Sequence, residues 1–296
     1  MNIETNAVVL ITGATSGIGL ATATYLAGRG YKVYGTCRHS SDTVELDQVI
    51  QKSRGLLEKV FMDVADEKSV QEAIKQILLH KKIDVVINNA GYALLGTVES
   101  CTLKQQKKLF DTNFFGAVNV IQAVLPHFRE QGKGQIINIG SVVGITPFPV
   151  LEIYSASKFA LAGLTESMAV TLAPFNIKVS IVEPGSVQTL AASHHTPIGD
   201  KDLGLENPYI KFHEIGEQMC INNLASGRDP FELAQFIHAI LQEEKPKLRY
   251  PFGDFAVSQV ATRLKDPSGS INVDKQIQIF TESGLLPEIS AKIQNF

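Results

Sequence analysis

The chain has 296 residues, 44% of them hydrophobic and 19% charged, with a formal net charge of −3. That length suits one large α/β domain, and the charge balance, without a lysine- or arginine-rich stripe, speaks against nucleic-acid binding. Cys37, Cys101 and Cys220 are scattered and odd in number, so neither a disulfide framework nor a metal site is expected, and a reduced, cytoplasmic setting is.

The amino-terminal MNIETNAVVLITG has no basic region and runs into a glycine-rich turn, so it reads as a strand and not a signal peptide. The first buried strand covers residues 7–12 (AVVLIT), followed by a helix over 17–29, a second strand over 32–36 and a third over 58–62. A helix over 67–80 leads to a fourth strand over 83–88 (IDVVIN), a long helical stretch over 103–128 and a fifth strand over 135–139 (QIINI). A helix from near Tyr154 to near Pro174 precedes a sixth strand over 178–182 (KVSIV), stopped by Pro184 and Gly185. Strands alternating with helices at this spacing predict an α/β fold: a doubly wound, Rossmann-type parallel sheet with helices on both faces.

One domain is expected over residues 1–253, including a substrate-loop region over 186–230 that is too long for a plain connection. A helix over 231–244 and a short last strand over 248–251 follow, and residues 254–296 read as a carboxyl-terminal extension of the same domain, broken around Asp266-Pro267-Ser268-Gly269. No apolar stretch approaches the ~20 residues of a membrane span.

Thr12-Gly13-Ala14-Thr15-Ser16-Gly17-Ile18-Gly19 sits directly after the first strand and opens a helix. Glycines let the backbone turn tightly and approach a pyrophosphate, while the helix amino terminus offers unpaired N–H groups. Alone, such a turn could be a mere strand-to-helix connection; the alternating context favours a dinucleotide. The end of the second strand chooses the cofactor, because a ribose 2′-hydroxyl is normally held by a carboxylate and a 2′-phosphate by a cation. Here Tyr34-Gly35-Thr36-Cys37-Arg38-His39-Ser40 has no acid at its tip, and Arg38 offers a planar fork of donors, which points to NADP(H).

Tyr154 and Lys158 are four residues apart in YSASK, on one helical face. A free phenol has a pKa of ~10, and a cation ~4 Å away is expected to lower it by two or three units, into the range of acid–base catalysis. On its own Y-x-x-x-K is a common accident of amphipathic helices. Ser141, however, falls at the carboxyl end of the fifth strand, where open α/β sheets bind ligands, although a turn cap is its ordinary alternative.

In this order the motifs resemble the short-chain dehydrogenase/reductase superfamily, in its single-domain branch. The resemblance spans residues 7–190 and includes Asn88-Asn89-Ala90-Gly91, Asn113 within FDTNFFG, and Pro184-Gly185-Ser186-Val187-Gln188-Thr189. Residues 142–189, with Glu183 before Pro184, are similar to the 17β-hydroxysteroid and retinol dehydrogenase relatives, which favour NADP(H). The resemblance implies that Ser141 orients the carbonyl, that Tyr154 is the acid/base, and that Lys158 holds the nicotinamide ribose and lowers the tyrosine pKa. It implies a water relay at Asn113, Asp63 and Val64 near adenine, Asn88 with Ala90 and Gly91 by the adenosine ribose, and Val187 and Thr189 at the nicotinamide amide. A homodimer or homotetramer is also implied, and Phe159, Leu161, Leu164, Met168, Val170 and Leu172 put apolar groups on more than one face of the Tyr154 helix.

The expected substrate walls are apolar: Val142, Val143, Ile145, Phe148, Pro149 and Leu151 after the serine, and Tyr92, Leu94 and Leu95 after NNAG. The loop would add Leu190, Tyr209, Ile210, Phe212, Ile215 and Met219. They fit a steroid-, retinoid- or lipid-like small molecule better than a sugar. Several could equally pack the loop onto the sheet, and His194 and His195 read as surface residues, since no ligand cluster accompanies them. Against the oxidoreductase reading stands a catalytically silent NADP(H)-binding regulator or scaffold, which loss of the tyrosine or lysine would favour; neither is lost. A nucleotide-sugar epimerase is disfavoured by the three-residue gap after Gly13.

Overall fold

Short aliphatic runs, too apolar to leave either face in water, assemble the sheet of this protein. The computed structural model describes residues 6–189, 198–199, 203 and 209–282. Its strands are β1 (Val8–Ile11), β2 (Lys32–Cys37), β3 (Leu57–Phe61), β4 (Val85–Asn88), β5 (Gly134–Ile139), β6 (Ile177–Pro184) and β7 (Arg249–Phe252). All pairs are parallel, in the order β3-β2-β1-β4-β5-β6-β7. The order reverses between β1 and β4, where diverging connections open a crevice at the strands' carboxyl ends.

The helices are α1 (Gly17–Gly28), α2 (Val44–Lys52), α3 (Glu67–His80), α4 (Leu103–Phe110), α5 (Gly116–Glu130), α6 (Glu152–Leu172), α7 (Ile210–Ala225), α8 (Pro230–Gln242), α9 (Asp254–Lys265) and α10 (Ser270–Glu282). Alternation along β1 divides the core in two. Val9 and Ile11 pack with Leu26 of α1 and Ile237 of α8, whereas Val8 and Leu10 pack with Ile74 of α3 and Val124 of α5. The doubly wound sheet expected from the sequence is therefore the observed one.

Three elements differ from the sequence reading. The nine-residue α2 was not anticipated; it buries fully only Leu46, too little for a repeating apolar stripe. The stretch over 103–128 is α4 and α5 joined by a π-helical turn at Asp111–Phe115. The segment over 186–230 contains α7, hidden by Gly216 at its middle and by apolar residues on several faces. Its base is tied off: Gln188 N donates to Arg228 O (2.9 Å) and Arg228 N to Ser186 O (3.0 Å). On α6, Leu161 and Leu172 are buried, while Phe159 and Val170 are exposed.

Glu183, at the β6 end, is 1% exposed and accepts a 2.6 Å bond from Arg249 Nη1, whose other nitrogen reaches Glu166 at 3.3 Å. Its second carboxylate oxygen has no hydrogen-bond partner among the described residues. Burial pushes the Glu183 pKa up to about 7 from 4.5, against the opposing pull of Arg249. The folded chain thus holds this proton more tightly than the unfolded one, so its contribution to stability is greatest below the unfolded value and is lost as pH rises towards 7. Glu183→Gln should raise Tm at about pH 8 by roughly 3–6 °C and leave it nearly unchanged at about pH 4. Thermal melts at both values check this, and an equal shift at each would contradict it.

Candidate active site

The glycine turn after β1 has the strained geometry its sequence implies. Gly13 and Gly17 have φ of 68° and 54°, a region that side chains disfavour. A Cβ on Gly13 would stand 3.0 Å from Ala90 Cα, and one on Gly19 would come within 2.1 Å of Gly13 O. Asn89 stitches this turn to the β4 end: its Nδ2 donates to Thr12 O (2.9 Å) and Gly13 O (3.0 Å). In return Thr12 Oγ1 accepts from Asn89 N and Ala90 N, both at 2.9 Å. Ser16, the N-cap of α1, makes no side-chain capping bond, and the first turn carries no acid. Unpaired N–H groups and the positive dipole end are left for an anion, so the turn fits a dinucleotide phosphate.

A cleft of about 870 Å³ runs across the carboxyl ends of the strands. Gly13, Thr15, Ser16, Gly17 and Ile18 border it at the turn; Arg38, Asp63 and Val64 border it beyond β2 and β3; Ala90 and Gly91 follow β4. Pro184, Gly185, Val187 and Thr189 close it past β6. Gly19, Asn88 and Asn113, named with them from the sequence, do not border the cleft. Gly19 packs α1 against the turn, and Asn88 Nδ2 donates to Asn138 Oδ1 (2.9 Å) inside the sheet. Of the Asn88-Asn89 pair, the second faces the cleft. The signal was available, because strand alternation puts neighbouring side chains on opposite sides.

Ser141, Tyr154 and Lys158 come together at the β5 end of the cleft. Ser141 caps the 3₁₀ turn Val142–Gly144 and is hydrogen-bonded to the Tyr154 hydroxyl. Lys158 Nζ donates to Ile139 O at 2.9 Å and lies 5.8 Å from the Tyr154 ring centroid. The expected depression of the tyrosine pKa is not found. Burial pushes Tyr154 up to about 12, with only the Ser141 bond opposing, and burial brings Lys158 down to about 8. Desolvation outweighs the cation because the ammonium is directed to a carbonyl rather than to the phenol.

Asn113 sits in the π-helical turn, an insertion that often marks functional helices. Its Oδ1 accepts from Tyr92 N (3.0 Å), and its Nδ2 donates to Tyr92 O (2.9 Å) and Ser157 Oγ (3.2 Å). Ser157 Oγ in turn donates to Tyr154 O at 2.7 Å. Asn113 therefore braces the loop after β4 against α6 from a buried position.

The far end of the cleft is apolar. Val142, Val143, Phe148, Pro149 and Leu151 border it as expected, with Tyr92, Leu94 and Met219. Leu95, Ile145, Tyr209, Ile210, Phe212 and Ile215 do not. Tyr209 donates to Glu99 (2.9 Å), and Phe212 stacks on Phe280 with centroids 5.4 Å apart. Helix α7 instead presents Gly216, Met219 and Cys220, one helical face, to the cleft. A Cβ at Gly216 would lie 2.1 Å from Val150 Cγ2, so only a glycine lets α7 sit this close. Phe255 of α9 and Phe280 of α10 also border the cleft; no motif marked them, since their placement depends on how the carboxyl-terminal helices dock. Leu190, His194 and His195 lie outside the described residues. Among the described residues no cluster of His, Cys, Asp or Glu could hold a metal, and no helix is long and apolar enough to cross a membrane.

A family model described as short chain dehydrogenase matches residues 7–197. Human 17-beta-hydroxysteroid dehydrogenase type 1 is 36% identical over 273 residues, covering 89% of this chain and 82% of that protein. Human retinol dehydrogenase 8 is 40% identical over 275 residues, covering 90% and 87%. A 3-ketodihydrosphingosine reductase of Bacteroides thetaiotaomicron is 41% identical over 183 residues; the match spans 62% of this chain and 64% of that protein's length. Among solved structures, a short-chain dehydrogenase from Streptomyces avermitilis superposes with a TM-score of 0.80 at 30% identity, over 94% of this chain and 99% of that one.

The two asparagines at the end of β4 should separate on mutation. Asn89→Ala leaves two turn carbonyls without their donor and should cost about 1–3 kcal/mol of stability while weakening nucleotide binding about tenfold. Asn88→Ala should lower Tm but keep the nucleotide Kd within about twofold, because its bond lies inside the sheet. Melts and fluorescence titration with NADPH measure both; equal binding losses would refute the distinction.

Proposed function

The chain belongs to the short-chain dehydrogenase family, and on that premise we propose that it is an NADP(H)-dependent oxidoreductase interconverting a carbonyl and an alcohol on an apolar, steroid-, retinoid- or lipid-like substrate. The observation that carries this reading is the meeting of Ser141, Tyr154 and Lys158 between an anion-binding helix terminus and an apolar compartment. When bound, the cofactor supplies or accepts the hydride at the substrate carbon. Gly13, Thr15, Ser16, Gly17 and Ile18 would hold its pyrophosphate, Asp63, Val64, Ala90 and Gly91 its adenosine half, and Pro184, Gly185, Val187 and Thr189 its nicotinamide half. The glycines that no Cβ could replace, and the uncapped terminus of α1, support that assignment.

In the reducing direction Tyr154 donates its phenolic proton to the carbonyl oxygen, and in the oxidising direction it takes the proton back. Burial keeps the phenol protonated at neutral pH, the form that donates in the reducing direction. Ser141, bonded to that phenol, donates to the same substrate oxygen and fixes its position. Lys158 is still mostly protonated at neutral pH, and its charge stabilises the phenolate left when the proton departs. Asn113 keeps the loop after β4 and the catalytic helix in register; in the family's pattern it also supports a proton relay through water. Val142, Val143 and Phe148 after β5, with Met219 of α7, Phe255 of α9 and Phe280 of α10, give the reacting oxygen an apolar surrounding.

Arg38 supports NADP(H) over NAD(H). It borders the cleft just past β2, no carboxylate occupies the strand tip, and its guanidinium makes no ion pair among the described residues. The exposed Phe159 and Val170 of α6 suit the homo-oligomer that the family resemblance implies. The names of the steroid and retinol relatives support an apolar substrate, as do the Phe148, Phe255 and Phe280 rings.

Tyr154→Phe should cut turnover at least about a hundredfold while leaving the NADPH Kd within about threefold. Near-normal activity of this variant on a substrate found by screening steroids, retinoids and aliphatic ketones would remove the mechanism. The wild type should use NADPH with clearly higher kcat/KM than NADH, and Arg38→Ala should shrink that ratio by about tenfold or more. A wild type that prefers NADH would contradict the cofactor assignment.

A further inference from the structure

Arg38, on which the NADP(H) reading rests, stands on an exposed turn, where a long side chain loses binding free energy to its own rotamer freedom. The turn is restrained from below by β3. Cys37 pairs with Phe61 across the β2–β3 register, and Met62 N donates to Cys37 O at 2.8 Å. Directly after Arg38, the His39 ring stacks on Phe61, with centroids 4.1 Å apart and planes 14° from parallel. Ser41 N closes the turn by donating to Arg38 O at 3.0 Å.

The other end of the turn is held from the same strand face. Leu57, Lys59 and Phe61 alternate onto one side of β3. Lys59 Nζ donates to Asp47 Oδ1 (2.7 Å) and Thr43 Oγ1 (3.2 Å), and it also lies 5.7 Å from the Phe61 centroid. Asp47 of α2 is thereby engaged by Lys59 rather than by Arg38. Phe61 is 45% exposed on the outermost strand and does not border the cleft. A large ring in that position adds little to the core, and its stack with His39 is what it does contribute.

We propose that Phe61 is a positioning residue for cofactor choice: by stacking on His39 it holds the turn over 38–41 so that Arg38 is kept at the cleft for a 2′-phosphate. The inference depends on the NADP(H) reading and extends it to a side chain that touches neither cofactor nor substrate. Loss of the stack frees the turn, and the penalty falls chiefly on the 2′-phosphate, since the glycine turn, Asp63 and Val64, and Ala90 and Gly91 still line the rest of the adenosine site.

The test is calorimetric binding of 2′,5′-ADP and 5′-AMP to the full chain, as wild type and as Phe61→Ala, Phe61→Trp and His39→Ala. Phe61→Ala and His39→Ala should each weaken 2′,5′-ADP about three- to tenfold and 5′-AMP less than about twofold, with Phe61→Trp restoring affinity. The exposed site keeps the variants folded, which melts verify. If the wild type prefers 2′,5′-ADP and Phe61→Ala keeps that preference, or weakens both nucleotides alike, the positioning role is overturned and the cofactor reading stands. If the wild type binds both equally, the cofactor reading falls and takes this inference with it.

Discussion

The hydrogen bonds between Thr12 and Asn89 are the joint on which the site depends. They cross from the end of β1 to the end of β4, the two strands between which the sheet order reverses. Diverging chain ends would otherwise leave their last carbonyls in a crevice without partners, at a cost of about 1–3 kcal/mol each. With Asn89 as donor the glycine turn is held closed, α1 starts where its free N–H groups face the cleft, and Ala90 and Gly91 form the opposite wall. The glycines follow from that closeness: a Cβ at Gly13 or Gly19 would collide with backbone.

The second constraint is burial of Tyr154 and Lys158 at the β5 end. Lys158 is 6% exposed, packed under Gly144 and pinned to the Ile139 carbonyl, with its ammonium 5.8 Å from the Tyr154 ring centroid. Burial keeps the proton on Tyr154. The π-helical turn at Asn113 belongs to the same arrangement, because the extra residue turns an amide inward to satisfy both backbone groups of Tyr92. A regular helix over that stretch would have given one continuous face and no such brace.

The two ends of the cleft are shaped by elements outside this frame. The cleft's apolar end is built by α7 and α10, joined through Phe212 and Phe280, and by α9, whose Phe255 packs on Phe148 after β5. Gly216 admits α7 against Val150, itself a β-branched residue at φ 55° and hence strained. At the other end the turn after β2 is shaped by β3 through Phe61 and Lys59. Both ends of the cleft are thus set by side chains whose neighbours are far away in sequence.

How much was legible before the structure follows from the range of each interaction. The strands, their parallel winding and the positions of Gly13, Ser141, Tyr154 and Lys158 could be read, because apolar periodicity, glycine spacing and a four-residue helical step are local properties that survive in one dimension. The short α2 and the interrupted α7 carried too little periodicity to be read that way. The direction of the Lys158 ammonium and the entry of Phe255 and Phe280 into the cleft were decided by packing across tens to hundreds of residues. Burial likewise set the Tyr154 proton, since desolvation is a property of the folded surroundings and of no spacing in the chain.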